Sequence, residues 1–296
     1  MVWLQKEFQM DLRVINFPDK IFKDYLVRHF DKDGDGEISL TEALSITKVL
    51  CPQLGIKSIA GIEYFSNLVI LDCSRNELES LDVSKNKKLE YLICYRNFKL
   101  NYLDMSSNPL LISLYCGNCG LQFLDILQNK NLSILSCGFN AIEQINLKEN
   151  TKLSMLRVRK CELIELSLVG LKELKFLDCS ENRISNLELS DCKELDCLIC
   201  CANDLHDDLY LGENIKLKTL NCRGNPNLYS ITISNGQHIG NLQSNIRPTT
   251  TSYRQYLAWK EYEEEQSYDS WEETEDWKDL WLDAFEGDES NYWNVE

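Results

Sequence analysis

Seven residues with oxygen-bearing side chains crowd into one short stretch, DKDGDGEISLTE, residues 31 to 42. Asp31, Asp33 and Asp35 alternate with spacers, so one turn of chain can point their carboxylates at a common centre. Gly36 permits the sharp bend that follows, Glu37 offers a backbone carbonyl, Ser39 can hold a water, and Glu42 can close the site with both oxygens. A hard divalent cation, calcium, is the ligand this chemistry suits. The competing reading is a surface Asp-Gly turn without metal.

The spacing matches the D-x-D-x-D-G-x₅-E pattern of an EF-hand loop at every position. Helices are expected on both sides. FPDKIFKDYLVRHF puts Ile21, Phe22, Tyr25, Leu26 and Phe30 on one stripe, and LTEALSITKVL does the same with Leu40, Ala43, Leu44 and Val49. EF-hands ordinarily pair through the residue at loop position 8, here Ile38, but the chain holds no second loop. The lone hand is therefore expected to lay its apolar stripe near Ile56, Ile59 and Ile62, with calcium stiffening a cap. A calcium switch that opens a groove is the sharper alternative.

Chemistry of other kinds is hard to find. The histidines, His29, His206 and His238, are scattered, and no H-E-x-x-H, G-x-S-x-G or phosphate-cradling glycine loop occurs. The sequence reads as that of a non-enzyme. The net charge is −16, and residues 251–296 carry 15 acids against 3 bases, a net of −12. Such acidity repels phosphate backbones and argues against nucleic acid. No apolar run is long enough for a membrane span.

Repeats organise most of the chain. LVILDCSRNEL at 68, LEYLICYRN at 89, LISLYCGNCGL at 111 and LSILSCGFNAI at 132 align as L-x-x-L-x-C-x-x-N/C, and four more copies begin at 153, 174, 195 and 217. Starts 21 or 22 residues apart are the spacing of leucine-rich repeats, each adding one strand to a stacked parallel sheet. Side chains alternate along a strand, so the first and fourth leucines and the sixth-position cysteine point inward. That column holds Cys73, Cys94, Cys116, Cys137, Cys179, Cys200 and Cys222, with Val158 in the fifth copy. The thiols are expected to be reduced core residues, with disulfides or a metal role as the alternatives. At position nine Asn76, Asn97, Asn140, Asn182, Asn203 and Asn225 are expected to bond turn backbone, with Cys119 and Cys161 as replacements.

On these residues the chain resembles the bacterial internalin-like leucine-rich repeat proteins over roughly residues 14–236, with IKSIAGIEYFSNL similar to that family's lead-in half-repeat. The resemblance implies an α/β repeat solenoid, a right-handed horseshoe with a parallel sheet, that binds proteins on its concave face without catalysis. It also implies a helical, EF-hand-like cap. The expected partition is a cap over 1–55, a solenoid of eight repeats plus the lead-in over 56–236, and an acidic helical extension over 237–296.

Outward strand positions name candidate contacts: Tyr91, Ile93, Tyr95, Tyr115, Ile134, Arg157, Arg159 and Phe176. Adjacent strands lie about 4.8 Å apart, so Tyr91, Tyr95 and Tyr115 should cluster with Ile93 and Ile134 beside them. Tyr and Arg are the residue types that dominate binding hot spots. The plainer reading is that the tail covers this face or that the tyrosines merely stabilise the sheet. The second half of each repeat, with Ser80, Asp82, Asp104, Asp125, Asn146 and Glu188 outward, is expected to be a solvated back face.

The tail carries five of the six tryptophans, and Trp277, Leu280, Trp281, Ala284 and Phe285 fall on one helical stripe. It could cap the solenoid, bind a partner or touch a membrane. The expected protein is a monomeric protein-binding scaffold with a structural calcium. Alternatives are a carbohydrate-binding surface adhesin and a cytosolic immunity or regulatory protein acting through its acidic tail. The start lacks the pattern of a signal peptide. Localisation is expected to be cytoplasmic if Met1 is the native start, and secreted or surface-bound otherwise.

Overall fold

A computed structural model describes residues 14–234 and 236–246. The chain divides into two units, Met1–Thr250 and Thr251–Glu296. The acidic tail and its tryptophan stripe lie outside the described residues.

The repeats build the sheet the spacing predicts. Helix α1 (Lys20–Phe30) and helix α2 (Leu40–Ser45) precede strand β1 (Lys48–Leu50) and a 3₁₀ turn at Ile62–Tyr64. Three-residue strands then recur once per repeat: β2 (Ile70–Asp72), β3 (Tyr91–Ile93), β4 (Ser113–Tyr115), β5 (Ile134–Ser136), β6 (Met155–Arg157), β7 (Phe176–Asp178) and β8 (Cys197–Ile199). Beyond them come β9 (His206–Tyr210), β10 (Thr219–Asn221), β11 (Asn227–Thr232) and β12 (Asn241–Gln243). Ten strands form one parallel sheet in the order β1 to β8, β10, β12, while β9 and β11 form a separate parallel pair. Pairing never slips along the ten strands, because a one-residue shift would turn every core leucine outward.

Both ends of the sheet extend beyond the eight recognised repeats. The expected second helix stops at Ser45, and Val49 belongs to β1 instead. β-branched Ile46, Thr47 and Val49 favour a pleated strand over a helix. Ile46, Val49 and Cys51 then occupy positions one, four and six of a further repeat, and all three are buried. At the other end β12 pairs with β10 as Leu220↔Leu242, with Ile239 and Leu242 buried in the same columns. Ile21, placed on the apolar stripe of α1 by its spacing, is exposed, whereas Phe22 and Leu26 are fully buried.

Three columns of side chains hold successive turns in register. The sixth-position column gains Cys51, so eight cysteines and Val158 stack in the core, and all thirteen cysteines of the chain are free. Burial pushes thiols such as Cys116 well above their ordinary range, which keeps them neutral. In the ninth-position column, Asn97 Nδ2 donates to the carbonyls of Cys73 at 3.1 Å and Cys94 at 2.7 Å. Cys119 and Cys161 keep the bond to the preceding turn, to Cys94 O at 3.2 Å and Cys137 O at 3.3 Å. A second asparagine column runs through the other half of the turns. Asn86, Asn108, Asn129, Asn150 and Asn214 are almost fully buried, and each Nδ2 donates to two carbonyls of preceding turns.

Just after each strand the backbone enters the left-handed region, at Arg75, Arg96, Asn118, Phe139, Lys160, Glu181, Ala202 and Gly224. Only the last is glycine. Such a conformation costs a non-glycine residue about 1 kcal/mol or more. It persists because each amide is anchored to the next turn, as when Arg96 N donates to Gly117 O at 2.8 Å.

Candidate functional site

The loop at 31–42 brings its three aspartates together. Carboxylate oxygens of Asp31, Asp33 and Asp35 all lie within 4.8 Å of one another. Local bonding explains the shape: Asp31 accepts from Gly34 N at 2.7 Å and Gly36 N at 2.9 Å, Asp33 from Asp35 N at 3.1 Å, and Asp35 from Glu37 N at 2.8 Å. Gly34 and Gly36 both have positive φ, which the wrap requires. The amides of Gly36 and Gly34 hold Asp31 below the usual carboxylate range. Asp33 ends above it: the Asp35 amide pulls it down, but desolvation and repulsion from Asp35 and Glu42 outweigh that pull. Three mutually repelling carboxylates on one turn are a donor set that fits a hard cation.

The remaining loop residues divide. Glu37 spends its side chain on Lys23 at 2.6 Å, which leaves its carbonyl as the oxygen available to the loop. Glu42 is buried and sits in a capping box with Ser39 at the start of α2. Its oxygens accept from Lys32 N at 2.7 Å and from Ser39 N at 2.8 Å. Burial pushes this carboxyl up, yet those amides and the Ser39 hydroxyl bring it below its ordinary value.

How Ile38 is paired was not legible from spacing. Ile38 is fully buried, and its carbonyl accepts from Ile15 N at 2.9 Å. Val14 and Ser39 form an antiparallel bridge. The edge at Ile38 and Ser39 is therefore paired with the segment preceding α1. Asp19 joins α1 to the first turns of the solenoid: Oδ1 accepts from Ile21 N at 2.9 Å and Phe22 N at 3.0 Å, and Oδ2 from Lys57 N at 2.7 Å and Ser58 N at 3.1 Å. Phe17 adds edge contacts with Phe22 and Phe65. Ile56, Ile59 and Ile62 are buried beneath.

Along the strand face, register sets Tyr91 beside Ser113 and Ile93 beside Tyr115. Tyr115 thus lies across from Ile93 and diagonal to Tyr91, while Ser113 stands between Tyr91 and Ile134 and Ser136 between Tyr115 and Arg157. Position seven needs this economy most at Gly138, where a Cβ would meet Arg159 O at 2.7 Å. Tyr91, Tyr95, Tyr115, Ile134, Arg157, Arg159 and Phe176 are half-buried by their neighbours, and Ile93 is buried. Arg157 lies 4.9 Å from the Phe176 ring centroid. Arg159 donates from Nε to Glu181 at 2.8 Å and lies 5.4 Å from Phe139.

The back of the turns is less polar than its spacing suggests. Phe98, Tyr102 and Phe123 are 71%, 67% and 64% exposed. Tyr102 and Phe123 fall in the same row as Ser80. Among the described residues no helix is long and apolar enough to cross a membrane.

The parallel ladder, the repeat length and the two asparagine columns define a leucine-rich repeat solenoid. No family model and no curated protein matches the chain. Among solved structures it is similar to the functional domain of InlJ from Listeria monocytogenes, described as including a cysteine ladder, with TM-score 0.70 and 29% identity over 80% of this chain and 53% of that one. A Leptospira interrogans leucine-rich repeat protein, LIC12759, matches with TM-score 0.52 and 20% identity over 68% of this chain and 49% of that one. Internalin C2 of Listeria monocytogenes matches with TM-score 0.51 and 17% identity, covering 78% and 94%. The chain is a leucine-rich repeat protein similar to a bacterial internalin. It spans about half the length of the InlJ and LIC12759 chains.

Proposed function

We propose that this repeat scaffold is a non-enzymatic, protein-binding module that presents its strand face to a ligand and carries a structural calcium ion in its cap. The observation that carries the binding reading is the half-buried row of Tyr91, Tyr95, Tyr115, Arg157 and Phe176, set on a rigid ladder and braced by cation–π contacts. A preformed surface of aromatic and arginine side chains loses little entropy on binding. Similarity to internalins supports the same reading.

Calcium would be held by Asp31, Asp33 and Asp35, the Glu37 carbonyl, a water on Ser39, and Glu42. Its part is to neutralise the clustered carboxylates and fix the loop between α1 and α2. Since α1 is tied to Lys57 and Ser58 through Asp19, fixing the loop stiffens the end of the solenoid.

Partner capture from host and bacterial lysates tests the binding reading, with wild type compared against Tyr91→Ala/Tyr95→Ala/Tyr115→Ala, each shown folded by its melting curve. A protein held by wild type and lost by the variant supports the strand face. Equal capture by both contradicts it.

A further inference from the structure

The ligand's chemistry can be narrowed, on the basis of the strand-face reading above. Positions three, five, seven and eight of the eight repeats carry six cations, Arg75, Arg96, Arg157, Arg159, Lys160 and Arg223, against three anions, Asp72, Asp178 and Glu181, a net of +3. The whole chain carries −16. The sheet face and its rim are thus an electropositive strip on an acidic protein.

The three anions are each engaged locally. Asp72 accepts from Ser74 N at 2.9 Å and from the Ser74 hydroxyl at 2.7 Å. Asp178, the register neighbour of Arg157, turns its carboxylate to Ser180 in the same way, through the amide at 3.1 Å and the hydroxyl at 2.5 Å. Glu181 is held by Arg159. Arg157 consequently forms no ion pair among the described residues, although it is half-buried in the middle of the face. Its guanidinium is positioned by the Phe176 ring at 4.9 Å rather than by a counter-ion.

A partly desolvated guanidinium held over an aromatic ring presents a preorganised fork for a carboxylate. We propose that the strand face binds an acidic segment of another protein, one of whose Asp or Glu carboxylates docks on Arg157 between Tyr115 and Phe176. The fixed ring holds the fork ready, and the surrounding positive strip draws the segment in at low salt.

A random dodecapeptide library displayed on phage and selected on the full chain tests this. The selected peptides are then measured against wild type, Arg157→Gln, Arg157→Lys and the triple tyrosine variant, each with an unchanged circular dichroism spectrum. The expected outcome is enrichment in Asp and Glu, with binding about tenfold or more weaker in Arg157→Gln. Arg157→Lys should retain part of the affinity, because it keeps the charge and loses the fork, and high salt should release the peptides. Neutral or basic peptides, or acidic ones indifferent to Arg157→Gln but lost with the tyrosines, overturn the carboxylate inference and leave the strand face standing. Peptides indifferent to every substitution, or no enrichment at all, overturn both.

Discussion

Replacing Asp19 with alanine removes a single carboxylate that serves four backbone amides in two parts of the chain. Two of those amides, Ile21 N and Phe22 N, open helix α1; the other two, Lys57 N and Ser58 N, lie some 38 residues on, in the first turns of the solenoid. Loss of a helix N-cap costs about 1 kcal/mol. Hydrogen bonds to a charged acceptor contribute about 1.5–3 kcal/mol each when buried, and the partial exposure here halves that or more. Together these give about 2–4 kcal/mol, or a fall of roughly 4–16 °C in the melting temperature of a unit this size. Burial raises the Asp19 pKa, but the four amides outweigh it and leave the group below its ordinary 3.8. A depressed folded-state pKa gives stability that is present above the unfolded value and lost as pH falls through the folded one. The gap between wild type and Asp19→Ala should therefore be full at pH 7 and close below about pH 3.8. Asp19→Asn keeps an acceptor for α1 and loses one for Lys57 and Ser58, so it should fall between the two. Melting curves by circular dichroism across pH read all three proteins. A loss under about 0.5 kcal/mol, or a gap that does not change with pH, would refute the view that Asp19 clamps α1 to the solenoid.

Three further outcomes are expected. Asn129→Leu removes the side-chain donor from the buried Met105 and Asn108 carbonyls, which keep only the amides of Asn108 and Leu111, and should cost about 1–3 kcal/mol in chemical denaturation; a cost below about 0.5 kcal/mol would contradict the ladder's role. Cys116→Val should cost under about 1.5 kcal/mol, since Val158 already fills that column, while Cys116→Ser buries a hydroxyl and should cost about 1–3 kcal/mol. Glu42→Ala should weaken calcium binding in titration calorimetry and lower the melting temperature in calcium buffer. A melting temperature that ignores both this substitution and chelator would contradict structural calcium.

Much of this fold can be read directly from the chain, because leucine and cysteine recur at fixed offsets and a solenoid repeats one local solution. The sheet's two end turns escape that reading for a physical reason. Ile46 and Val49 fill the leucine positions of the first, next to a helical pattern, and the last has Ile239 and Leu242 but Ser244 in place of cysteine. The second asparagine column was visible in SKN, SSN, LQN and KEN, but a polar residue near outward-facing neighbours reads as solvated until its neighbours in space are known. The clustering of Asp31, Asp33 and Asp35 was legible because their spacing is local. The pairing of Ile15 with Ile38 was not, since a two-residue bridge carries no periodicity. Burial along the strand face depends on cross-strand neighbours, so alternation alone marked Ile93 as surface although Tyr115 stands across from it.

Hydroxyl-radical footprinting of the chain with and without a selected or captured ligand tests the central claim most directly, because it reads aromatic side chains on both faces at once. Protection should fall on Tyr91, Tyr95, Tyr115 and Phe176, with Phe98, Tyr102 and Phe123 unchanged. Protection of those three outer rings, with the strand face still oxidised, would contradict the account and move binding to the back of the repeats.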